Sequence, residues 1–202
     1  MNNTIESYFS RVTETINQLS HEQAYSVAKE LLDCYHREGS IYIFGNGGSG
    51  STASHMVGDF VKGVSYQLEK RFRVVCLNDN FSTVGAISND ISYDDVFVEP
   101  LKNFLRPGDL VIGISGSGNS VNIIKALEYA KSKNIRTVAM CGFTGGQIKG
   151  IAHTYFHVPI KDMEVTEDIH LVAFHAIKQY ILELLKGTNT GMGEVYDKRV
   201  KS

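Results

Sequence analysis

Five short apolar runs, each separated from the next by a helix-patterned stretch, constrain the fold of this chain more than any other feature. The runs are Ile41–Phe44, Val74–Leu77, Leu110–Ile114, Thr137–Cys141 and Tyr155–Val158. They are continuous rather than alternating, the pattern of strands covered on both faces. Thr52–Lys62, Ser82–Ile87, Tyr93–Phe104, Val121–Ser132 and Glu167–Leu185 are predicted helices. Strands that alternate with helices in this way are joined by crossovers, which predicts an α/β fold with a parallel five-stranded sheet flanked by helices. Arg106-Pro107-Gly108-Asp109 is a turn feeding the third strand.

Two helices precede the first strand. Ile5, Tyr8, Val12, Ile16 and Leu19 recur at three- and four-residue spacing. Ser20-x-x-Gln23 then forms a capping box, with Ala24, Val27, Leu31 and Tyr35 as the apolar face and Gly39 as the stop. The pair is too short to be a domain, so residues 1–38 read as a docking surface and 39–186 as the α/β domain. The last stretch, 187–202, has no period and is expected to be a flexible tail.

At 202 residues with 43% apolar content, the chain can bury a good core as one domain. Its 20 basic and 22 acidic residues leave a net charge of −2. No concentrated basic surface follows, and nucleic acid is not an expected partner. No apolar run approaches the ~20 residues needed to span a bilayer, and the N-terminus lacks a signal-peptide pattern. A cytoplasmic protein without membrane partners is expected. Cys34, Cys76 and Cys141 form no CxxC pair and read as reduced, packed side chains.

The first strand runs into Gly45-Asn46-Gly47-Gly48-Ser49-Gly50-Ser51, and the third into Ser115-Gly116-Ser117-Gly118-Asn119-Ser120. Each loop leads into a helix. Glycines let backbone N–H groups approach a ligand, serines add short donors, and the helix turns its positive end toward an anion. One such loop is as readily a tight turn. Two in the same role, at strand carboxyl ends, indicate a bound anion. Neither loop fits GxxxxGK[ST] or a GxGxxG dinucleotide fingerprint, so no nucleotide cofactor is expected.

Taken in order, GNGGS, SHMVGDF, ISGSGNS and EDIHLVAFH resemble the SIS-domain (sugar isomerase) proteins, and among them the phosphoheptose isomerases. The similarity spans about residues 1–186. It implies a flavodoxin-like sheet, with Ser49, Ser115, Ser117 and Ser120 gripping a sugar phosphate beside Gly47 and Gly48. Gly116 stands at a usual threonine. The resemblance also implies homotetramers packed through the leading and final helices, with active sites at the interfaces.

Aldose–ketose isomerisation needs a base for a carbon-bound proton and an acid for the neighbouring oxygen. His55 and Asp59 lie four residues apart on one helical face, which is also the pattern of an ordinary surface pair. The resemblance places Asp59 at the family's glutamate base, His175 at its catalytic histidine and Glu167 at a substrate-contacting glutamine. His55, Asp59, Glu167 and His175 then match a set that binds zinc in some relatives. Glu167 and His175 are about 12 Å apart along a regular helix. Meeting on one small ligand requires an irregular turn, long reach or different subunits. Asn89 and Asp90 fall where the family contacts a sugar hydroxyl; Asp90 reads equally as a helix cap. Asn46 and Asn119 either meet sugar hydroxyls or brace their loops. His170, His153, His157, His21 and His36 read as structural, although His36 and Arg71 also suit a neighbour's site.

The expected activity is interconversion of sedoheptulose 7-phosphate and D-glycero-D-manno-heptose 7-phosphate through an enediol, with Asp59 as base and His175 as acid. The alternatives are a non-catalytic phosphosugar-binding or regulatory protein, and an isomerase of another phosphosugar.

Overall fold

The computed structural model describes residues 4–187 and Val200. Its strands are β1 (Ser40–Gly45), β2 (Arg73–Cys76), β3 (Leu110–Ser115), β4 (Arg136–Cys141) and β5 (Thr154–His157). All pair in parallel, in the order β2-β1-β3-β4-β5. This is the expected flavodoxin-like order, and the sheet grows in opposite directions from β1 and β3. The crevice at their carboxyl ends is where such sheets bind ligands.

The helices are α1 (Thr4–Ile16), α2 (His21–His36), α3 (Gly47–Gly58), α4 (Phe81–Asp90), α5 (Val98–Phe104), α6 (Val121–Ser132), α7 (Ile148–Ile151) and α8 (Met163–Lys186). Successive strand residues point to opposite faces, so the central strands β1, β3 and β4 each feed two cores. Ile43, Ile112 and Met140 pack with Leu31, Met56 and Ile177 on the side of α2, α3 and α8. Tyr42, Val111 and Ala139 pack with Leu101, Ile123 and Leu127 on the side of α5 and α6. Fully burying one such Ile or Leu stabilises by about 2 kcal/mol, in keeping with the apolar runs of the central strands β1, β3 and β4.

Ser20 caps α2 as expected, its hydroxyl accepting the Gln23 N–H at 3.3 Å. Val27, Leu31 and Cys34 of α2 are fully buried, so this helix belongs to the main core. Helix α1 lies on α8, where the Tyr8 hydroxyl donates to Asp168 at 2.6 Å and Arg11 pairs with Asp162 at 3.1 Å. Ile5 and Phe9 face outward, 69% and 64% exposed. All three cysteines are free and buried, and burial pushes the Cys141 thiol up to about 12. The expected tail, 187–202, lies outside the described residues except for Gly187 and Val200. Among the described residues no helix is long and apolar enough to cross a membrane.

Three elements differ from the sequence reading. The helix expected over Tyr93–Phe104 is interrupted: a single 3-10 turn, Tyr93–Asp95, precedes α5. Pro100 lacks the N–H that would bond the Val96 carbonyl, and its ring would clash there. The helix therefore restarts at Val98, which puts Pro100 in its tolerant first turn, while Phe97 stacks on Phe44 with ring centroids 4.7 Å apart. Helix α3 begins at Gly47, inside the first Gly/Ser loop, and passes at Asp59 into a π-helical segment, Asp59–Val64. Helix α8 begins four residues before Glu167, because Asp162 accepts the Val165 N–H at 3.2 Å and caps it.

Candidate active site

The two Gly/Ser loops sit side by side, since Gly45 of β1 pairs with Ile114 of β3. They line one cavity of about 230 Å³. The first loop contributes Asn46, Gly47, Gly48 and Ser49; the second contributes Ser115, Gly116, Ser117 and Ser120. Gly47 and Gly118 take positive φ, 52° and 70°, which makes the sharp turns from strand to helix. In the second loop the Ser115 and Ser120 hydroxyls are 3.0 Å apart, and the Gly118 N–H donates to Ser115 Oγ at 3.2 Å. Asn119 braces the loop: its amide donates to the Ser117 carbonyl and accepts the Gln147 N–H.

Helix α8 forms the remaining wall. Glu167 lies so close to Gly48 that a Cβ there would stand 2.2 Å from Glu167 Oε2. Burial raises the Glu167 carboxyl above its ordinary value; Glu164 and Asp168 add to this, and the Ser49 N–H opposes it. Met163 fills the space beside Gly116, where a Cβ would fall 2.4 Å from its sulfur. The room a threonine side chain would need is thus taken by a thioether.

A second cluster lies where α3 ends. His55 Nε2 is 3.0 Å from His175 Nε2, and Asp59 Oδ2 is 3.7 Å from the first and 3.3 Å from the second. Lys178, one turn beyond His175, donates to Asp59 Oδ1 at 2.9 Å. The carboxylate is therefore divided: one oxygen is held by the ammonium and the other faces the imidazoles. The π-helical turn at Asp59 widens the helix there, a feature frequent at functional sites. One ligand atom from each of His55, Asp59 and His175 lies within 4.8 Å of the others, a spacing that suits one ion. Two imidazoles and a carboxylate form a fitting zinc donor set with a position left for substrate.

Glu167, expected in the same set, is placed elsewhere. Helix α8 is unbroken from Met163 to Lys186, so eight residues separate Glu167 from His175 by about two turns. Within one chain, Glu167 goes to the loop cavity and His175 to the histidine cluster. Asn89 and Asp90 end α4, a helix without a buried residue, and bond each other at 2.7 Å away from the cavity lining.

His153 and His157 are held by neighbouring side-chain and main-chain groups. His153 Nδ1 meets Thr137 Oγ1 at 2.8 Å, and His157 Nε2 donates to the Phe143 carbonyl at 3.0 Å. His170 is fully buried, and neither ring nitrogen has a hydrogen-bond partner. Lys178, Met163 and Asn122 escape the sequence reading. Only Lys178 carries a signal, its spacing of three from His175.

A parallel sheet with two Gly/Ser loops at its switch point and a His/Asp/His cluster on the adjoining helices defines an α/β domain of the open-sheet class that binds ligands at its strand carboxyl ends. Residues 7–142 match the SIS domain family. A probable phosphoheptose isomerase of Thermoplasma volcanium is 37% identical over 151 residues, covering 75% of this chain and 76% of its own. The phosphoheptose isomerase of Geobacter sp. strain M21 is 36% identical over 153 residues, covering 75% and 79%. The solved phosphoheptose isomerase of Neisseria gonorrhoeae superposes with a TM-score of 0.81 at 27% identity, over 88% of this chain and 96% of that one. The chain belongs to the SIS-domain family, and within it to the phosphoheptose isomerase branch.

Proposed function

We propose that this protein is an aldose–ketose isomerase that interconverts sedoheptulose 7-phosphate and D-glycero-D-manno-heptose 7-phosphate. One observation carries the reading: the cavity between the two Gly/Ser loops and the His55/Asp59/His175 cluster are built on the same two helices, α3 and α8.

With the phosphate on Ser49, Ser115, Ser117 and Ser120, the carbonyl end points toward the cluster. Asp59 Oδ2 removes a proton from C1 of the ketose, and His175 protonates the C2 oxygen, giving the enediol. The proton on Asp59 exchanges with solvent at the enediol stage; Asp59 then protonates C2 while His175 accepts the C1 hydroxyl proton, leaving the aldehyde. Lys178 steadies Asp59 through its other oxygen, and Glu167 faces the sugar hydroxyls. His55, Asp59 and His175 would alternatively hold zinc through these same atoms; when bound it would polarise the carbonyl, and the proton transfers described belong to the site without the ion. The exposed faces of α1 and α8, including Phe9, Val172 and Leu184, suit packing against further copies in a homotetramer with active sites at the interfaces. The cytoplasm is the expected compartment.

Asp59→Asn and His175→Ala test the roles. Each should lower kcat by about 10²- to 10⁴-fold while the phosphosugar still binds, as followed by calorimetry. Unchanged turnover in both variants would refute this assignment.

A further inference from the structure

Asn46 is the N-cap residue of α3, in extended conformation, yet its side chain makes no capping bond. A residue of this type ordinarily accepts the N–H of the second or third helical residue, here Gly48 or Ser49. Asn46 is instead turned away into a reciprocal amide pair. Its Nδ2 donates to Asn122 Oδ1 at 3.0 Å, and Asn122 Nδ2 donates back to Asn46 Oδ1 at 3.0 Å. The Tyr93 hydroxyl donates to the same Asn46 oxygen at 2.9 Å. Asn122 is 2% exposed and lies in the first turn of α6, the helix that follows the other Gly/Ser loop.

The Ile123 N–H, which also donates to the Ser120 carbonyl at 3.1 Å, meets Asn122 Oδ1 at 3.0 Å. With the Asn122 oxygen there, Asn46 offers nitrogen to it and oxygen to the Asn122 amide, and every contact of the pair joins a donor to an acceptor. Both lone pairs of Asn46 Oδ1 are occupied, which leaves none for the α3 amides. Ser120, the N-cap of α6, behaves alike: it makes no side-chain cap and turns its hydroxyl to Ser115. The turn that carries Tyr93 is anchored to α6 by Lys125, whose amine bonds both Asp95 oxygens at 3.1 and 3.2 Å.

We infer that Asn122 is a positioning residue: by holding Asn46 away from its own helix, and by tying the first turn of α6 to the start of α3, it keeps the α3 amides free of a side-chain cap, so that only the Glu167 carboxylate, which the Ser49 N–H meets, has to give way to the ligand phosphate. Tyr93 is the third member of this clamp. The inference rests on the proposed phosphosugar function for its ligand, but its structural half does not.

In Asn122→Ala, Asn46 loses two of its three bonds and rotates to cap α3. Two measurements test this. Without ligand, the Gly48 and Ser49 amides should exchange about five- to tenfold more slowly in the variant than in the wild type, the scale of one added cap. With sedoheptulose 7-phosphate, KM should rise about tenfold while kcat changes less than threefold. Removing the competing cap in Asn46→Ala/Asn122→Ala should then recover part of the lost affinity, which a merely structural defect would not. Tyr93→Phe, at a half-exposed ring, keeps the fold intact and should raise KM about threefold. Unchanged amide exchange in Asn122→Ala, or a double variant no better than the single one, would overturn the clamp. Slowed exchange in a protein whose wild type turns over no phosphosugar would retain the clamp and overturn the proposed function.

Discussion

His170 should make this protein measurably less stable in acid. The side chain lies on α8 at the same face as Thr166, whose methyl packs beneath Gly142 and Gly116 at the strand ends. It is fully buried, and neither nitrogen has a hydrogen-bond partner. Burial pulls its pKa down to about 4 from 6.5; the nearby Cys141 main chain opposes this without completing a hydrogen bond. The folded state therefore keeps the ring neutral between these values, while the unfolded state takes up a proton below 6.5. Stability is fully present above 6.5 and declines as pH falls toward 4. With 1.36 kcal/mol per unit, the loss between pH 7 and pH 4 is roughly 3 kcal/mol. Urea unfolding of wild type and His170→Leu from pH 7 to pH 4 isolates the effect, because other titrating groups cancel in the difference. The variant should lose less stability on acidification by about that amount. Parallel stability–pH curves would refute the reasoning.

Three further outcomes follow from the site. Gly48→Ala would push the flexible carboxylate end of Glu167 aside, so KM for the phosphosugar should rise while kcat changes little, as read by steady-state kinetics; an unchanged KM would count against a ligand beside Gly48. Gly116→Thr should bind the phosphosugar more weakly than wild type because its side chain meets Met163, and Gly116→Thr/Met163→Ala should restore binding; calorimetry distinguishes the two. Lys178→Met frees Asp59 Oδ1 and should lower kcat about tenfold with little change in KM, the pattern of a misdirected base.

The parts of the fold that depend on local pattern were legible in the sequence. Continuous apolar runs gave the parallel sheet, and the Ser20 capping box is present as read. The split before Val98 depends on weighing one proline against the eleven other residues of Tyr93–Phe104, and the early start of α8 on a single capping aspartate. At the site, the loops were legible because glycine and serine at strand ends have few other uses. The pairing of His55, Asp59 and His175 came from family resemblance, since no spacing rule brings together residues 120 apart in the chain. Asn46–Asn122 and Asp59–Lys178 bridge separations of 76 and 119 residues. Such contacts exist only after α3, α6 and α8 have docked on the sheet.

The separation of Glu167 from His175 follows from helix geometry alone. Under the proposed function, the His55/Asp59/His175 cluster is what distinguishes an isomerase from a protein that only binds the sugar phosphate. The most direct measurement is to incubate the protein with sedoheptulose 7-phosphate in deuterium oxide, with and without added zinc, and to follow the sugar by NMR. The account expects the heptose 7-phosphate to form with deuterium at C2. Absence of both aldose and deuterium uptake, in a protein that still binds the sugar phosphate, would contradict it.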